Sequence, residues 1–448
     1  MKKIVKLSVA TAMLMGMSAV SAQAADGVSV FDNVYAKGEI RPRYEMVDAE
    51  DNGLGNANAM TNRLVLGIGA DIAGTDWLSV YGEMTDVHSL NDDNYNSTNN
   101  GNPNNKQVVA DPEQTRLTQA YIDVKAGGAL LRAGRQMINL DNQRFVGAVG
   151  WRQMPQTYDG FLLAYGGIEG LNLAAAYLTK VNTIKADDAD HLNTRSVILH
   201  ASYKVSDELT VTAYDYMLGA STGDNSGTFN GVGSDTVGIA LTGKPKLGDI
   251  TLNYRVEYAM MIDPSLDSGQ YDSDANQGTD GLTPPTNLDV NDGYDADYYN
   301  IELGMNMSGV LAQVGYEYQS GMTLSEANDY LYNGGDNKTF RTALGTNHKF
   351  NGWADKFLST PVFGLKDANV MLGYKSKDLG VFKVIYHDFQ SAEESIDYGT
   401  EVDALYKRAI PGVKGLTGMV KYADYNADDF SVDTQKFWVM VDYKFSSK

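Results

Sequence analysis

The stretch Asn33–Val47, NVYAKGEIRPRYEMV, decides how the rest of the chain is read. Lys37, Glu39, Arg41, Arg43 and Glu45 fall on alternate positions, and Ala36, Gly38, Ile40, Tyr44 and Met46 fall between them, with Pro42 the one misfit. Charge on one side and apolar groups on the other at period two mean a strand with one wet face and one dry face. In a soluble sandwich the dry face would meet a second sheet. One strand does not separate that arrangement from a barrel wall facing lipid; repetition along the chain does.

The pattern repeats. In Thr61–Ile72, Leu64, Leu66, Ile68, Ala70 and Ile72 take the apolar side and Arg63, Gly67 and Asp71 the other. A short turn at Gly74 leads to Trp77–Met84, a long loop spans Val87–Glu113, and Arg116–Val124 turns at Gly127 into Leu130–Ile138. Further short turns are expected near Gly167, Ser206, Lys246, Gly309, Asp378 and Gly412. About eight such turns separate about nine hairpins, hence about eighteen strands, with sixteen the alternative. The last strand, Lys436–Phe445, again alternates: Phe437, Val439, Val441, Tyr443 and Phe445 against Lys436, Trp438, Met440, Asp442 and Lys444. An even count with both termini on the short-turn side describes an all-β, transmembrane antiparallel barrel with short periplasmic turns and long extracellular loops.

Composition fits an exported barrel. Lys2, Lys3 and Lys6 precede the apolar run Leu7–Val20, and Ala22-Gln23-Ala24 suits a signal peptidase, so residues 1–24 read as a cleaved signal peptide and 25–448 as the barrel. No later run is long and apolar enough for a membrane helix. The chain has no Cys, so a disulfide framework is excluded, and closure of a barrel supplies the stability instead. Its 28 Tyr and 46 Gly suit aromatic girdles and tight turns, and a mean hydropathy of −0.31 suits a wall whose apolar residues alternate with polar ones. Loss of the leader's three Lys takes the net charge from −21 to −24, an acidic balance that argues against nucleic-acid binding. Between Val256 and Asn337, a stretch without Lys or Arg, the acid crowds Asp263–Asp297, which is expected to form a solvated extracellular loop. Within it Asp289–Tyr298 lacks the ligand spacing of a calcium loop.

Against this acidic background Leu130–Gly160 concentrates Arg132, Arg135, Arg144 and Arg152, with Asp141 and Asp159 its only carboxylates. We read it as the constriction of a channel. Arg132 and Arg135 differ by an odd step, so on one regular strand they cannot both point inward: either a bulge intervenes or one lies in a girdle. Arg144 and Arg152 sit in a loop that could fold inward. Arg41, Arg43 and Arg63 belong to the wet face of the adjoining wall.

Gly134-Arg135-Gln136, Gln143-Arg144-Phe145-Val146-Gly147, Trp151-Arg152 and Tyr158-Asp159-Gly160 resemble the core of the alginate-export type of outer-membrane barrel. Gly352-Trp353-Ala354-Asp355-Lys356-Phe357, Gly364-Leu365-Lys366-Asp367, Tyr386-His387-Asp388-Phe389 and Tyr398-Gly399-Thr400-Glu401 resemble later blocks of the same family. The resemblance implies a monomeric eighteen-stranded barrel in the bacterial outer membrane, its lumen lined by arginine, with passage of an anionic uronate polysaccharide as the family's best-known role. An alginate-like exopolysaccharide export channel is thus the alternative to a porin for small anionic solutes or uronate-type saccharides. Lipid and lipopolysaccharide would surround such a barrel.

The seven arginines therefore carry an expectation: a pore-lining set (Arg41, Arg43, Arg63, Arg132, Arg135, Arg144, Arg152) that favours small anionic solutes, since guanidinium rings offset lost hydration and pair carboxylates bidentately. The bland alternative is a set of Arg–Glu and Arg–Asp ladders that stiffen the wall. An enzyme is the main reading of another class: His200 and Ser202 share a strand face, as in the outer-membrane phospholipase dyad. Val197, Leu199, Ala201 and Tyr203 make the opposite face the apolar one, however, so the dyad would face the lumen, away from lipid. His387-Asp388 shows no zinc-like spacing, and the sequence implies neither metal nor cofactor: there is no Cys, P-loop or dinucleotide fingerprint.

Overall fold

The computed structural model describes residues 30–50, 53–98, 105–186, 191–219, 234–262, 296–333 and 338–447. Eighteen strands form one antiparallel sheet: β1 (Phe31–Ala49), β2 (Ala57–Ile72), β3 (Leu78–Ser89), β4 (Gln114–Ala126), β5 (Ala129–Gln136), β6 (Thr157–Ile168), β7 (Leu171–Asn182), β8 (His191–Lys204), β9 (Thr210–Leu218), β10 (Ser234–Gly243), β11 (Ile250–Ile262), β12 (Ala296–Met307), β13 (Val310–Gln319), β14 (Leu365–Ser376), β15 (Gly380–Gln390), β16 (Asp397–Ala409), β17 (Leu416–Asn426) and β18 (Thr434–Ser446). A two-residue ladder at Lys246–Leu247 extends the β10–β11 hairpin. Each strand pairs with its chain neighbour, and β1 pairs with β18 from Lys37↔Ser446 to Ala49↔Thr434, so the sheet closes and no edge is left. That ladder skips Arg41 and Pro42, where proline has no N–H to donate.

The alternation sorts the two faces. Arg41, Arg43 and Glu45 are buried, whereas Ile40, next to Arg41, stays exposed. Ile68, Leu163, Ile239, Val370 and Val439 are likewise exposed on the outer wall, the arrangement expected where lipid replaces water. All eight short turns fall where the sequence placed them, although the one expected near Gly167 closes at Glu169-Gly170. The eight gather at one end with both strand termini, and the longer connections gather at the other.

The loops depart from the sequence reading in one respect. Val87–Ser89 belong to β3, and the connection that follows is not a freely solvated loop: Tyr95 and Val109 are fully buried and pack with Val47, Ala57 and Ala59 of the wall, and Asp111 is buried too. Most of the acidic loop Asp263–Asp297, with the calcium-like stretch up to Asp295, lies outside the described residues, as does the leader. The connection between β13 and β14 carries a helix, α1 (Leu324–Asn333), and then residues 338–364, which turn back into the barrel.

Candidate functional site

Three connections converge inside the barrel: the end of the β3–β4 loop, the whole β5–β6 loop (residues 137–156), and residues 338–364. Apolar packing seats them. Ile138, Phe145 and Val146 of the second join Phe340 and Leu344 of the third against Leu178, Ile198, Tyr214, Tyr216 and Tyr298 of the wall. Phe357 packs with Phe389, Tyr398 and Tyr425 on the opposite side. The two inner segments also bond to each other through Gly147 N to Leu344 O at 2.9 Å and Thr346 N to Gln143 O at 2.9 Å. Gly147 is required there, because a Cβ would collide with Thr346 Oγ1.

Arginine ties this apolar plug to the wall. Arg41 donates from Nε to Gln153 Oε1 at 3.0 Å, from Nη1 to Gly150 O at 3.0 Å and from Nη2 to Arg152 O at 2.7 Å. Arg43 donates to Trp151 O at 2.7 Å and pairs with Asp111, thereby holding two loops at once. Arg152 reaches back to Glu45 at 3.0 Å and across to Asp355 at 3.1 Å. Arg144 pairs with Glu317 at 2.5 Å and donates to Asn351 at 2.9 Å. Burial opposes the charge of Arg152 and Arg144, but Glu45 with Asp355, and Glu317, overcome it, so both groups are raised above the ordinary arginine value. These guanidinium groups are buried in the lumen, each paired with a carboxylate or hydrogen-bonded to the plug, the condition under which a buried charge is tolerated, although among the described residues Nε of Arg43 and of Arg144 has no partner.

Arg132 and Arg135 separate. Cross-strand partners share a face. Arg132 lies opposite Asp123, pairs with it bidentately at 2.7 and 2.8 Å, and stacks on Tyr121, all inside. Arg135 lies opposite Ala120, on the side of the exposed Leu117 and Ile122, and pairs with Asp159 at 2.7 Å. Arg135 therefore does not line the pore: its odd spacing from Arg132 turns it outward, into a row of registered partners Arg135, Asp159, Lys180 and Asn193 across β5–β8.

Arg63 is the exception among the inward arginines. It stands directly opposite Arg41, is 6% exposed, and among the described residues it donates no hydrogen bond; its nearest carboxylate is Glu39, at 3.6 Å. It faces a cavity of about 840 Å³ on the short-turn side of the plug. Lys37, Arg41, Arg63, Lys414 and Lys444 line this vestibule against two carboxylates, Glu39 and Glu83. Gly150 and Pro155 form its roof, while Val149, Arg152 and Gln156 of the same segment floor a smaller cavity of about 260 Å³ above. Residues 149–156 are thus the partition between the two ends of the lumen.

Sequence reasoning missed the partners that hold this partition: Glu45, Asp111, Gln153, Asp355 and Lys421. The available signal was the aromatic content of residues 338–364, with Phe340, Trp353 and Phe357, which a solvated loop does not need. The suspected dyad does not assemble as such: His200 faces Asp141 of the inner loop at 3.0 Å, and no hydrogen bond joins it to Ser202. Among the described residues no cluster suited to a metal ion occurs.

A model of the family described as alginate export matches residues 34–418. No curated protein sequence matches the chain. Solved structures share the fold at low identity. Pseudomonas aeruginosa OpdK with vanillate is 12% identical, with a TM-score of 0.66 over 92% of this chain and 99% of that one. Acinetobacter baumannii OccAB4 is 14% identical, with a TM-score of 0.64 over 93% and 99%. Pseudomonas aeruginosa OccK8 (OprE) is 15% identical, with a TM-score of 0.65 over 94% and 100%. The match spans nearly all of the barrel, its fold is that of outer-membrane porins, and the chain belongs to the alginate export family.

Proposed function

We propose that this outer-membrane channel passes small hydrophilic anions, sugar acids of uronate type among them, by passive diffusion past a loop-built constriction, and that Arg63 sets the preference. The observation that carries the reading is the contrast among the arginines. Arg41, Arg43, Arg144 and Arg152 spend their donors on the plug, whereas Arg63 keeps its own for a solute in a vestibule where cations outnumber carboxylates. A guanidinium with free donors recognises a carboxylate bidentately, and its field is strong where walls exclude water. Vanillate, present in the OpdK structure, is an anion of this small carboxylate class. Export of a long exopolysaccharide is the weaker reading, because three inward loops fill the upper lumen. In the same reading the leader is cleaved after Ala24, the barrel works as a monomer, and the outward Arg135–Lys180 row meets lipid and lipopolysaccharide headgroups.

Liposome swelling tests the assignment. A monosaccharide carboxylate should enter faster than the neutral sugar of equal size, and Arg63→Gln should remove most of that advantage while leaving the neutral sugar's rate unchanged. Equal rates for both solutes in the wild type would refute the proposal.

A further inference from the structure

Residues 338–364 meet the wall at one unusual contact. Lys421 of β17 points into a box of rings: its Nζ lies 4.3 Å from the Trp151 centroid, 3.7 Å from Trp353 and 5.1 Å from Trp438. Trp151 stacks on His348 at 4.8 Å, and Trp438 meets His348 edge-on at 5.8 Å. His348 is the hinge of the contact. Its Nδ1 lies 2.5 Å from Asp355 Oδ1 and its Nε2 lies 2.7 Å from Lys421 Nζ.

These partners fix the tautomer. An ammonium only donates, so Nε2 must accept, and Nδ1 carries the hydrogen given to Asp355. A second proton on Nε2 would set two N–H donors face to face and bring two positive charges together. Burial first, then Lys421, lowers His348 from its ordinary 6.5 to about 3, against the pull of Asp355. The other charges around it are accounted for. Asp355 also receives Lys436 of β18 at 2.7 Å and Arg152 of the partition at 3.1 Å, and Arg152 is held by Glu45 of β1. Asp355 lies well below the usual carboxylate range: burial works against its charge, but His348, Lys436 and Arg152 overcome it. On β16, Glu401 accepts from Ala354 N at 2.7 Å, and Asp403 faces Lys421 from the same strand. The carboxylate is thus saturated without a charged histidine.

We propose that His348 is the proton-binding site of a latch: neutral, it accepts Lys421 and holds residues 338–364 in the lumen; protonated, it expels Lys421 and the segment swings free of the wall. The inference is independent of ion preference, since it concerns how open the lumen is and not which ion enters. The sign follows from linkage. A base whose value is lowered in the latched state keeps the latch closed above 6.5, and its contribution is lost as pH falls from there toward 3. Two pH units below 6.5, release is favoured by roughly 100-fold over neutral conditions.

The test is single-channel conductance of the full-length protein in planar bilayers, stepped from about pH 7 to about pH 4.5. Wild type should pass to a larger conductance at the acidic end. His348→Gln, which can donate to Asp355 and accept from Lys421 but cannot take the proton, should stay at the smaller level. Lys421→Met should already be open at neutral pH and gain little from acid. Heat-modifiable gel mobility reports whether each barrel is folded, and His348→Gln alone suffices if Lys421→Met fails to assemble. A wild type whose conductance does not change, or a His348→Gln channel that opens with acid as wild type does, would overturn the latch.

Discussion

Arg152→Met is expected to widen the channel several-fold in single-channel conductance while the barrel still assembles. Arg152, like Arg144, joins the wall, here through Glu45, to both inner segments, its own and the one bearing Asp355. Removing it leaves Glu45 buried beside Arg43 alone and strips Asp355 of one of its three partners. Breaking one side of a buried ion pair costs about 3–5 kcal/mol, far more than a surface pair, because the remaining charge stays desolvated. The interstrand ladders do not involve this side chain, so the loss should fall on the seating of the partition. Conductance in planar bilayers, read beside gel mobility, checks it. Unchanged conductance would mean that the apolar packing of Phe145, Val146 and Leu344 seats the plug without the ionic ties.

The second large effect belongs to the wall. Ile68 and Val439 are 37% and 40% exposed, on the face that alternates with buried charge. Arginine at either position should cost about 2–4 kcal/mol near the bilayer midplane and lower the yield of folded barrel. Gln313→Arg is the matched control. Gln313 faces the lumen beside Glu302, 3.4 Å from its carboxylate, where a cation gains a partner. Thr61, inward by the same parity, is a poor control: it is 2% exposed and receives Gln153 Nε2 at 2.9 Å, so a longer side chain there would push on the plug. Unfolding midpoints in urea with reconstituted protein separate the three. Equal losses at Ile68, Val439 and Gln313 would show that the faces are misassigned.

The wall was legible because it is written locally. Period-two alternation in Asn33–Val47 and Lys436–Phe445 already names which residues meet lipid, and glycine-bearing turns give the strand count. The odd spacing of Arg132 and Arg135 left two outcomes open, a bulge or one arginine outside the lumen; the register opposite Asp123 and Ala120 selects the second and shows that Arg135 is the one. The plug was less legible, because its contacts join residues far apart in the chain: Arg43 with Asp111, Arg152 with Asp355, Arg144 with Glu317. A count of arginines could not show that four of the six inward ones are spent on loops, nor that Arg63, among the described residues, makes no hydrogen bond and has only Glu39, at 3.6 Å, as an ion-pair partner. That distinction depends on hydrogen bonds, and only the folded chain supplies it.

The most direct test of the account is the reversal potential of the wild-type channel in a planar bilayer under a potassium chloride gradient at low salt. The acidic segments beyond the barrel are screened from the vestibule over a Debye length of roughly 10 Å at 0.1 M salt, so the local field is dominated by Lys37, Arg41, Arg63, Lys414 and Lys444 against Glu39, Glu83 and Asp442. The account predicts a potential of the sign given by chloride preference, despite an acidic chain, and a shift toward zero in Arg63→Gln. A cation-selective wild type would contradict it, and would leave Arg63 as one more member of the wall's structural charge.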